Sequence, residues 1–101
     1  MHVIAILRPR AGVEQSAFAP HVRAEEEAVW RHYAAGRLRS MRFQPDPLRV
    51  VFDFEAADTS QVTEWLAEFP MVAAGLLDAE LIAAGPWMPL RALFDDAAQQ
   101  L

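Results

Sequence analysis

A chain of 101 residues with 53% hydrophobic and 23% charged residues has the composition of one compact domain, with enough apolar side chains to fill a core. Its net charge of −5 argues against the broad positive surface that non-specific nucleic-acid binding needs. The absence of cysteine excludes disulfides, thiolate catalysis and Cys-ligated zinc, and because every basic residue is arginine, lysine Schiff-base chemistry is excluded as well.

Codon bias in a GC-rich genome accounts for the arginine usage, which accompanies abundant Ala and Pro. No stretch approaches the length that spans a bilayer, and the first apolar run, VIAIL, is too short for a signal segment and has no basic residues before it. With no disulfide to maintain, the cytoplasm is the expected location.

HVIAIL at 2–7 is apolar on both alternating faces, which predicts a strand covered on both sides. RPRAGVEQ turns the chain at Pro9 and Gly12. Ser16 is a candidate N-cap, Pro20 an awkward early residue, and the spacing predicts a regular helix over 21–35 that stops at Gly36. RLRSMRFQ is a second strand, PDP at 45–47 a tight turn, and LRVVFDFE a third strand. In that third strand Leu48, Val50, Phe52 and Phe54 share one face, and Arg49, Val51, Asp53 and Glu55 the other. AADTS carries capping residues for a helix over SQVTEWLAEF, closed by Pro70. MVAAG is then a turn, LLDAELIAA a fourth strand, and GPWMPLRALF a Pro-rich tail that ends in a short helix, the tail as a whole taking in 88–101.

The order βαββαβ is the split βαβ arrangement, an α+β fold in which two helices cover one face of an antiparallel four-stranded sheet. The first strand is apolar on both faces, and Val51, Leu77, Ala79 and Leu81 are expected to extend that character across the uncovered side. An exposed apolar sheet face is rare in soluble monomers, so a homodimer, or a higher homo-oligomer, is expected.

AEEEAVWRHYAAGRLRSMRF, then VVFDFEAADTSQVTEWLAEFPM, then AELIAAGPW resemble the muconolactone isomerase-like branch of the dimeric α/β-barrel superfamily, from Val3 to about Trp87. The resemblance implies a ferredoxin-like domain pairing into a dimeric α/β barrel, with a pocket between helix and sheet. It leaves isomerases, cofactor-free monooxygenases, cyclases of aromatic and polyketide pathways and plain ligand-binding domains as the functional range.

The run HVRAEEEAVWRHY divides by helical phase. At about 100° per residue, Phe18, Val22, Val29 and Tyr33 define a buried stripe, with Glu25 near its middle, His21 and His32 along one edge, Glu26 on the other edge beside Trp30, and Glu27 in water. A carboxyl group on an apolar face has a raised pKa and suits acid/base work. Glu25 is therefore the candidate acid or base, His21, one turn earlier, its partner, and His32 with Tyr33 polar groups lining the cavity. The alternative is a helix-edge Glu25 paired with Arg23, Arg42 or Arg49 in a catalytically silent protein.

Arg37, Arg39 and Arg42 form a positive row on the second strand, where Arg42 is a candidate anchor for a carboxylate or phenolate ligand. Trp87 is placed to wall a pocket or cross to a partner chain. Met41, Met71 and Met88 are assigned to packing. His21 and Glu25 have no further residues at ligand spacing, so no metal is expected. There is neither a Ser-His-Asp pattern nor a phosphate-cradling glycine loop.

The expectation is a cofactor-free isomerase or cyclase that moves a proton on a small apolar carbonyl or phenolic metabolite, in aromatic catabolism or in polyketide and other secondary metabolism. The competing expectation is a non-catalytic dimeric metabolite-binding or accessory protein. An apolar cavity lined by Glu25 and a histidine favours the first, and Glu25 paired to arginine in a filled core favours the second.

Overall fold

The computed structural model describes residues 1–94, in the order β1 (His2–Pro9), α1 (Val22–Ala34), β2 (Leu38–Pro45), β3 (Leu48–Glu55), α2 (Thr59–Leu66), α3 (Pro70–Ala73) and β4 (Leu77–Ala84). The strands form one antiparallel sheet ordered β2-β3-β1-β4, and the helices pack on one face of it. This is the ferredoxin-like arrangement. β1 lies between β3 and β4, so its apolar character on both faces has a direct cause. Val3, Ala5 and Leu7 are fully buried beneath the helices with Phe52, Phe54, Val62, Leu66 and Phe69, while Ile4 and Ile6 face the other way.

Three boundaries differ from expectation. Ser16 caps no long helix: two 3₁₀ turns, Gln15–Ala17 and Ala19–His21, come first, the second contains Pro20, and α1 begins at Val22. Proline has no N–H to donate, so the chain enters through tighter turns before the regular ladder starts. The second helix is shorter than expected, and Pro70 opens a new helix, α3, where a turn was expected, because proline at N1 lacks only an N–H that would have no helical partner. The tail forms a 3₁₀ segment, Met88–Leu93; its continuation to residue 101 lies outside the described residues.

Two caps hold the helices in place. Asp58 accepts a hydrogen bond from the Gln61 N–H at 2.9 Å, and the Gln61 side-chain oxygen accepts one from the N–H of Ala57, the residue before the cap, at 2.8 Å, a variant of the capping box for α2. Gly36, at φ 78°, ends α1 in the left-handed region that glycine adopts without strain.

The uncovered sheet face is narrower than expected. Strand register places Leu77 and Leu81 beside Pro9 and Ala5, on the helix side, where Leu77 is buried and Leu81 packs against the core. Ala79, opposite Leu7, shares that side. The open face therefore carries Ile4, Ile6, Val51 and Ile82. Around this strip run Arg8–Glu80 (3.1 Å), Arg10–Asp78 (3.0 Å), His2–Asp53 (3.1 Å) and the N-terminal amine–Glu55 (2.8 Å).

Candidate functional site

The N-terminal half of α1 and the 3₁₀ turns before it stand away from the β2–β3 hairpin, leaving a cavity of about 1010 Å³ between them and the sheet. Its walls are chiefly apolar, with Leu7, Phe18, Val29, Val50, Phe52 and Leu77 among them. Glu25, only 6% exposed, is set in the α1 wall.

The Glu25 carboxylate is held by one contact. Its Oε1 accepts a hydrogen bond from the Met71 backbone N–H at 2.9 Å. That N–H is free because α3 begins at Pro70, and the first N–H groups of a helix have no partner within it. Burial raises the pKa of Glu25 above its ordinary value; the Met71 hydrogen bond opposes the rise, the neighbouring Glu26 adds to it, and His21 lowers it slightly. Among the described residues no arginine pairs with Glu25, and Arg23 instead pairs with Glu27 at 3.2 Å.

The other sequence-derived candidates are scattered. His21 is the N-cap residue of α1, half-buried, close enough to act electrostatically on Glu25 but not part of the cavity wall. His32 lies apart from the cavity, fully buried and stacked on Phe69 with ring centroids 5.0 Å apart. Its Nε2 is 3.6 Å from a Glu68 oxygen, and neither ring nitrogen has a hydrogen-bond partner among the described residues. Burial lowers the pKa of His32; Glu68 opposes this, and Arg37 and Arg31 reinforce it. Tyr33 is 46% exposed and packs against Trp30 at 5.9 Å on the outside of α1, and Trp87 is 77% exposed beyond β4.

The displacement of Tyr33 and His32 has one origin. The buried residues of α1 are Glu25, Ala28 and His32, a stripe turned by roughly 80° from the one set by the large apolar side chains at about 100° per residue. Small Ala28, nearly inaccessible, lies in that stripe, whereas Val22 and Tyr33 stay nearly half exposed.

Arg42 borders the cavity, but it pairs in register with Val51, whose side of the sheet is the open one. A bulge between Leu38 and Ser40 causes this. Without it, Arg42 would share the face of Leu38; with it, Met41 and Phe43 take the inner face and Arg42 the outer. Glu26 and Asp46, not singled out as ligand contacts from the sequence, both line the cavity. So does Met71, whose role as donor was signalled only by the Phe69-Pro70 step that opens α3. No group of three or more metal-ligating side chains occurs among the described residues, and no helix there is long and apolar enough to cross a membrane.

No protein-family model matches the sequence, and no curated protein is significantly similar to it. The structure is similar to 5-chloro-2-hydroxyhydroquinone dehydrochlorinase from Burkholderia phenoliruptrix AC1100, solved in complex with 2,5-dihydroxybenzoquinone. The TM-score is 0.70 at 14% identity, covering 84% of this chain and 94% of that one. At that identity the likeness establishes the shared fold.

Proposed function

We propose that this protein is a small enzyme that moves a proton on an apolar carbonyl or phenolic metabolite, with Glu25 as the acid or base. The observation that carries the reading is the one carboxyl group buried among the described residues, raised in pKa, in the wall of an apolar cavity large enough for a metabolite. Protonated, Glu25 donates to a ligand carbonyl; ionised, it removes a proton from carbon or a hydroxyl. Isomerisation of an activated carbonyl compound takes a proton from one carbon and returns it at another, and dehydration takes a proton from carbon and protonates the departing hydroxyl so that it leaves as water; one carboxyl group can carry the proton between the two positions in either case. The fold's likeness to an enzyme that acts on a chlorinated hydroxyhydroquinone supports a role in the breakdown or elaboration of aromatic compounds. The sequence resemblance to the muconolactone isomerase-like branch supports the same placement.

The homodimer belongs to this proposal. Ile4, Ile6, Val51 and Ile82 form an apolar strip within a ring of ion pairs, the anatomy of an interface with a dry centre and a polar rim. Among the described residues, Glu25 lines the cavity unpaired with arginine, as the enzyme reading requires, yet no histidine lines it. That last point favours the non-catalytic reading as the alternative.

Exchange of the α-protons of 2-tetralone in D₂O, followed by NMR, tests the chemistry without a known substrate. The wild type accelerates exchange, and Glu25→Gln, which keeps an acceptor oxygen for the Met71 N–H, lowers the rate by about 10²-fold or more. Glu27→Gln, on the solvated face, leaves it unchanged. Equal rates for the wild type and Glu25→Gln would remove Glu25 as the proton carrier.

A further inference from the structure

We propose that Glu26 and Asp46 act as a charge filter at the mouth of the cavity, so that its ligand is an uncharged, multi-ring aromatic or ketone and not a carboxylate. The proposal rests on the cavity being the ligand site and adds what that ligand is. Glu26 follows Glu25 on α1, while Asp46 sits in the β2–β3 turn on the facing wall. Both line the cavity and both are exposed, which puts them where a ligand enters and not in the core.

Among the described residues neither Glu26 nor Asp46 is in an ion pair. Arg42 is the one basic residue among the described residues that line the cavity, and the bulge between Leu38 and Ser40 puts it in register with Val51, so that it borders the cavity from the open-face side of β2 and not from the inner face that Met41 and Phe43 occupy. A carboxylate ligand would thus enter between two negative groups and come to rest against Glu25, whose own ionisation burial already resists. Charges of one sign around a low-dielectric cleft focus a repulsive field on an incoming anion. An ammonium ligand gains attraction at the mouth but has to shed its water against walls such as Leu7, Phe52 and Leu77. A neutral ring system meets neither cost and still has Glu25 as donor or acceptor. The volume of about 1010 Å³ is at the upper end for drug-sized ligands, well above what one ring fills.

Calorimetric titration at neutral pH with 2-naphthol, 2-naphthoate and 2-naphthylmethylammonium tests this on the whole chain. For the wild type in low salt, 2-naphthol is expected to bind at least about tenfold more tightly than 2-naphthoate, and raised ionic strength narrows the gap. The double variant Glu26→Gln/Asp46→Asn, altered at two exposed positions, brings the two affinities to within about threefold through a gain for naphthoate alone. Equal wild-type binding of naphthol and naphthoate overturns the filter and leaves the proton-transfer reading standing. So does a gap that survives in the double variant, or an ammonium probe that binds most tightly. If none of the three binds, the cavity is not a ligand site and both readings fall together.

Discussion

The Glu25 carboxylate and the Met71 backbone are joined by a 2.9 Å hydrogen bond that ties α1 to the first turn of α3 in the wall of the cavity. The same group that is proposed to carry the proton thus also holds two helices together. Its protonation state should be visible in stability as well as in turnover.

Burial raises the folded-state pKa of Glu25 above its ordinary 4.5, so the native protein holds that proton more tightly than the unfolded chain does. Its contribution to stability is complete below the unfolded value and is lost as the pH rises through the folded one. Urea denaturation at a series of pH values should show the wild type losing stability across that window, with the Glu25 component missing from Glu25→Gln. An unchanged pH profile in the variant would mean that the carboxyl is not perturbed.

His32 predicts the opposite slope. Fully buried against Phe69, with Trp65 and Glu68 nearby and Arg31 and Arg37 acting on it from a distance, it is held neutral, and its folded pKa lies below the ordinary 6.5. Its stabilising contribution is present above the unfolded value and disappears as the pH falls through the folded one. His32→Phe preserves a ring on Phe69 and should flatten the loss of thermal stability on acidification. Thermal melts between neutral and mildly acidic pH compare the two proteins directly.

For the proposed dimer, sedimentation equilibrium should return about twice the chain mass of 11.3 kDa. Val51 lies on the open face between Ile6 and Arg42, so Val51→Asp would set a carboxylate in the apolar strip of the interface, where the cost of removing it from water outweighs a contact with Arg42, and the protein should dissociate with its far-UV spectrum intact. A wild type that sediments as a monomer at micromolar concentration would contradict the assembly.

Asp58→Ala removes the carboxylate that accepts the Gln61 N–H and should lower the unfolding free energy by about 1 kcal/mol. Asp58→Asn, which keeps an acceptor at the cap, should recover most of it. Chemical denaturation of the three proteins measures the difference.

Much of this was legible in the sequence because its determinants are local. Alternation in LRVVFDFE separated the two faces of β3, the apolar character of HVIAIL on both faces marked β1 as a covered strand, and the βαββαβ order followed from two periodicities and their punctuation. The burial of Glu25 within a run of three glutamates was legible too, since helical phase separates neighbours by about 100°.

Tertiary structure decided what depended on the joints between elements. α1, which starts only after the 3₁₀ turns around Pro20, packs on the sheet along a stripe through Ala28 and not along its large apolar side chains, which leaves Tyr33 in solvent and puts His32 in a separate aromatic cluster. One bulged residue in β2 moved Arg42 to the far face, because strand faces alternate with a period of two and a single insertion inverts every position after it. Periodicity gives the faces within each element; how Met71, Asp46 and Glu26 meet around one cavity depends on how the elements pack, which no single segment encodes.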